Sequence, residues 1–84
     1  MTANATDTNH ILTLSCPDRP GIVHAVSGLL LRHGANIEEA AQHHDRATGL
    51  FFMRVQFACP SAAHSALLGE VDALSHAWGM QAQL

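Results

Sequence analysis

The segment Leu50 to Ala58 constrains the fold more than any other part of the chain. Phe51, Met53, Val55 and Phe57 alternate with Phe52, Arg54 and Gln56. In a strand, successive side chains point to opposite faces, so this pattern predicts a strand with one fully apolar face. A sheet built on such a strand needs a covering layer on one side. Two segments supply it. Ile22, Val26, Leu29 and Leu30 recur at helical spacing, as do Leu67, Val71, Leu74 and Trp78. His10 to Cys16 alternates more weakly, with Leu12, Leu14 and Cys16 on one side, and predicts a first strand.

Turn-forming residues separate these segments. Pro17 to Gly21 ends the first strand, and Pro20 is expected in the first turn of the helix that follows. Gly34 stops that helix. Ala35 to His44 is a second strand of weaker pattern, closed by the turn Asp45 to Gly49. Pro60-Ser61 opens a second helix, Gly79 ends it, and Met80 to Leu84 forms a short last strand. Trp78 is read as packing. The order is β-α-β-β-α-β. With right-handed crossovers and a central hairpin, it predicts an α+β ferredoxin-like sandwich. Its antiparallel four-stranded sheet has order 4-1-3-2, with both helices on one face. Met1 to Asn9 is read as a flexible leader and residues 10–84 as the domain.

Composition narrows the function. Of 84 residues 48% are hydrophobic and 13% charged, which fits a globular chain whose apolar surface meets a partner. The four basic residues, Arg19, Arg32, Arg46 and Arg54, are scattered and the net charge is −3, which argues against nucleic-acid binding. No segment approaches the ~18 apolar residues of a membrane span. The leader lacks the pattern of a signal peptide, and two cysteines then suggest reduced thiols in the cytoplasm. The topology sets Cys16 and Cys59 at opposite ends of adjacent strands, so both are expected to be free.

This fold hosts many activities, and the site must decide among them. A metal chaperone needs a CxxC pair, but Cys16 is followed by Pro17, Asp18 and Arg19. An RNA-recognition surface needs aromatics on the first and third strands. The first has none, and on the third only Phe52 should face outward. A small phosphatase-like hydrolase could place Arg19 and Asn36, yet no nucleophile or base accompanies them. The seven histidines are scattered. His43 and His44 should point to opposite faces, and no HExxH spacing exists, so no metal site and no cofactor is expected.

Asp18-Arg19-Pro20-Gly21-Ile22 offers a different chemistry. It joins a strand to the start of a helix, whose first N–H groups have no intrahelical partner and suit a carboxylate. Asn36, with Ile37 behind it, presents an amide that can donate and accept near an edge strand. Turn geometry alone also accounts for Gly21 and Gly34, and a loop-capping bond for Asn36.

L-S-C-P-D-R-P-G-I-V followed by G-A-N-I resembles the ACT domain, a regulatory amino-acid-binding family of this fold. Together with T-G-L-F-F-M-R-V-Q-F it is similar to the N-terminal ACT domain of 10-formyltetrahydrofolate deformylases, which release formate and tetrahydrofolate and serve purine synthesis. The resemblance implies a separate formyltransferase-like domain with catalytic Asn, His and Asp residues, outside these 84 residues. It implies an amino-acid effector such as glycine or methionine, held by Asp18, Arg19, Pro20, Gly21, Ile22, Asn36 and Ile37, and a homodimer. A glycine-cleavage-system regulator, or a dimerisation module without ligand, fits the same residues.

Overall fold

The computed structural model describes residues 7–84. Its elements are β1 (Asp7–Pro17), α1 (Ile22–Arg32), β2 (Asn36–Asp45), β3 (Leu50–Pro60), a 3-10 turn (Ser61–Ala63), α2 (His64–Trp78) and β4 (Gln81–Gln83). The strand order is β2-β3-β1-β4 and every pairing is antiparallel, as the element order predicts.

One face of the sheet is dry. Leu12, Leu14 and Cys16 of β1 join Phe51, Met53, Val55, Phe57 and Cys59 of β3 beneath Ile22, Val26, Leu29 and Leu30 of α1 and Leu67 and Val71 of α2. Leu74 and Trp78 complete the α2 stripe while staying partly exposed. The reverse face carries Ile11, Thr13, Phe52 and Arg54, and Phe52 is 39% exposed. Cys16 lies opposite Phe51 and Cys59 opposite Thr8. Eight residues of strand, about 26 Å, therefore separate the two thiols, and both are free and buried.

Several boundaries differ from expectation: β3 runs on to Pro60, α2 starts only at His64 after the 3-10 turn, β4 is confined to Gln81–Gln83, and two more differences lie at β1 and α1. β1 begins at Asp7, because Asp7, Thr8 and Asn9 pair with Pro60, Cys59 and Ala58. The rest of the expected leader, residues 1–6, lies outside the described residues. Pro20 is not in the first turn of α1. The chain reverses at Gly21, whose φ of +92° suits glycine, and the helix starts one residue later. The other end of α1 closes as its sequence predicts. With Gly34 at φ +71°, Ala35 N–H donates to Leu30 O and Gly34 N–H to Leu31 O, each at 3.0 Å.

β2 is the exception to the packing. None of its ten residues is buried, and a bulge between Ile37 and Glu39 breaks its register with β3. The helical layer stops short of this strand.

Candidate functional site

The turn from β1 into α1 is held on three sides. Asp18 N–H donates to Gly49 O at 2.9 Å, which ties the loop to the β2–β3 turn. His44 Nδ1 lies 3.0 Å from Asp18 Oδ2, linking the loop to the end of β2. The Arg19 guanidinium sits over the Trp78 ring, 4.2 Å from its centroid, where a cation meets the negative face of the indole. A Cβ at Gly21 would come within 3.5 Å of Trp78 Cη2, so the loop lies close against the end of α2. Buried Ile22 anchors the helix start in the core.

The helix start itself is open. The first intrahelical bond runs from Ala25 N–H to Gly21 O. No side chain caps the helix and no acidic residue lies in its first turn. The N–H groups of Ile22, Val23 and His24 thus face a shallow depression of about 350 Å³, with Asp18, Arg19 and His44 at its rim and Phe51 in its floor. Helix dipole and Arg19 favour a carboxylate there, and Asp18 offers the opposite charge a few ångströms away. A depression of about 380 Å³ on the open face of the sheet, around Thr13, Ser15 and Gln81, has no ionisable group in its lining. It cannot answer both charges of a zwitterion.

Asp18, Arg19, Gly21 and Ile22 therefore share one depression, and Pro20 lies exposed in the loop between them. Asn36 and Ile37 do not join them. They pair with Ala58 and Phe57, whereas the loop sits beside Leu50, eight residues or about 26 Å along β3. The full length of α1 separates the two ends. Within one subunit these seven residues do not form one site.

Sequence reasoning missed His44 and Trp78. His44 was within reach, because the turn length of the β2–β3 hairpin sets it opposite Phe51 at the loop end. Nothing local marks Trp78. Burial pushes the thiols of Cys16 and Cys59 above their usual pKa, away from the reactive thiolate. Among the described residues no group of three or more His, Cys, Asp or Glu residues could hold a metal, and no helix is long and apolar enough to cross a membrane.

Comparison with known proteins identifies the family. The ACT domain family profile matches residues 10–59. A formyltetrahydrofolate deformylase from Corynebacterium sp. (strain P-1) is 44% identical over 77 residues, which cover 89% of this chain and 27% of that protein. The Bacillus subtilis formyltetrahydrofolate deformylase is 55% identical over 49 residues, 57% of this chain and 16% of its own length. The crystal structure of a Burkholderia mallei formyltetrahydrofolate deformylase superposes with a TM-score of 0.82 at 34% identity, covering 90% of this chain and 27% of that one. The chain thus spans about a quarter or less of the length of these relatives. With the family profile matching more than half of the chain, over α1, β2 and most of β1 and β3, the chain belongs to the ACT domain family.

Proposed function

We propose that this chain is the regulatory domain of a cytoplasmic formyltetrahydrofolate deformylase, binding a small amino acid such as glycine or methionine and pairing two subunits. Hydrolysis of 10-formyltetrahydrofolate would then fall to a separate domain, in the service of the one-carbon pool and purine synthesis. The open start of α1, between Arg19 and the Asp18–His44 pair, carries the reading. The effector's carboxylate accepts from the N–H groups of Gly21, Ile22 and Val23, and its ammonium lies toward Asp18. Asn36 and Ile37 enter from a second subunit, because the exposed edge β2 can pair with its own copy. The deformylase relationship itself rests on the sequence likeness.

Calorimetry with glycine and with methionine tests the site. Charge-assisted bonds contribute about 1.5–3 kcal/mol each, so losing one weakens binding roughly ten- to a hundredfold. Asn36→Ala is expected to show that loss with the fold intact, since the side chain is exposed. Gly21→Val should weaken binding further. His64→Ala, at the start of α2, should not change it. Unchanged binding in both site variants, or no heat with either amino acid, would refute the reading. The isolated chain should release no formate from 10-formyltetrahydrofolate.

A further inference from the structure

β2 carries its charges in two blocks. Glu38 and Glu39 stand near its start, His43 and His44 near its end, with Ala40, Ala41 and Gln42 between. All seven are exposed, and β2 is an edge of the sheet. We infer that this edge is charge-coded to pair antiparallel with the β2 of a second copy in one register, with Ala41 on the two-fold axis. The inference rests on the subunit pairing proposed above and adds its register.

The sheet restricts the register. Directly opposed residues in an antiparallel pair share a face. Glu39, Ala41 and His43 lie opposite Gln56, Arg54 and Phe52, on the face away from the helices, while Ala40, Gln42 and His44 lie on the helix side. The axis must therefore pass through a residue. Through Ala40, it sets Glu39 against Ala41 and His43 against Ile37, with no charge matched. Through Gln42, it sets Glu39 against Asp45, two carboxylates together. Through Ala41, it sets Glu39 against His43 and brings Glu38 toward His44, each twice by symmetry. Methyl groups then meet at the centre, where backbones must approach. A parallel copy would stack Glu39 on Glu39, so the two blocks complement each other only in an antiparallel copy of this same strand.

The surroundings of the two rings leave His43 the freer to meet a partner. His43 tilts against Phe52, with ring centroids 6.3 Å apart, and shares its depression with Arg54 and Thr13. No carboxylate lies within salt-bridge distance of it among the described residues. The partner's Glu39 would be its first. His44 packs on Phe51, already meets Asp18, has Asp45 as chain neighbour, and faces Arg19 and His24 across its depression.

Sedimentation of the chain, alone and as the variants Glu39→Lys and His43→Glu, tests this. Each variant alone disfavours the pairing across the axis and should associate about tenfold more weakly than the parent. A one-to-one mixture restores both pairs and should give a heterodimer at least as tight as the parent. Both positions are exposed, and circular dichroism checks that the variants fold. If the parent dimerises but both variants do so equally well, or the mixture gains nothing, the register is wrong while the pairing stands. If the parent stays monomeric at hundreds of micromolar, the register and the pairing proposed above both fall.

Discussion

β3 and β2 are the two arms of one hairpin, eleven and ten residues long, hydrogen-bonded along most of their length. On β3, Phe51, Met53, Val55, Phe57 and Cys59 are all buried; on β2, the residues across from four of them, His44, Gln42, Ala40 and Ile37, all reach solvent. The backbones are equivalent, so the difference lies in what stands above them. The helices cover β3 and leave β2 bare. Chemistry follows the bare arm. Its exposed Glu38, Glu39 and His43 side chains can meet a ligand or another subunit, while the covered arm supplies the hydrophobic free energy that holds the sheet together.

Phe57→Ala tests the covered arm and should have the largest effect. Truncating a fully buried phenylalanine costs about 3–5 kcal/mol, a large share of the stability of so small a domain, and urea unfolding would show it. A loss below about 1 kcal/mol would mean that the core is not shared through β3. Gly21→Val comes next. A β-branched residue at φ +92°, close to Trp78, should cost about 1–3 kcal/mol and so separate strain in the loop from packing in the sheet.

The pH dependence tests β1, the strand that pairs with the other side of β3. Burial first, and then the charge of stacked His64, hold the His10 imidazole below its usual pKa. The folded chain therefore binds that proton less tightly than the unfolded chain, whose imidazole titrates near about 6.5. Stability from the neutral ring is complete above about pH 6.5 and is lost as the pH falls from there through the lower folded value. His10→Asn should flatten the urea midpoint over that interval, measured at protein concentrations low enough to keep the chain monomeric. Acid thus loosens the domain at β1. The smallest effect belongs to Gln42→Ala, across from Met53 on the same sheet face. It should stay within about 0.5 kcal/mol of the parent, whereas Met53→Ala should cost about 2–5 kcal/mol. Equal losses at the two positions would mean that β2 is covered in solution.

Most of the fold was legible from neighbours in the chain. The alternation of Phe51 to Phe57 and the helical spacing of Ile22, Val26, Leu29 and Leu30 each report a face that must be buried, and Gly34 reports a left-handed turn. These are short-range steric and solvation preferences, so they can be read without knowing the rest of the molecule. The loop Asp18 to Ile22 was legible for the same reason. The start of β1 was not. Asp7, Thr8 and Asn9 look like a polar leader until Ala58, Cys59 and Pro60 are seen beside them.

What sequence alone determined is the order of elements, the buried faces of β1, β3 and the two helices, and the place of the turn into α1. Tertiary structure decided that β2 lies bare, that His44 and Trp78 hold the loop, and that Asn36 stands at the far end of the sheet from Gly21. Those outcomes depend on how far the helical layer reaches and on which strand ends meet. Both are sums over contacts between residues distant in the chain, and no local pattern of side chains encodes them.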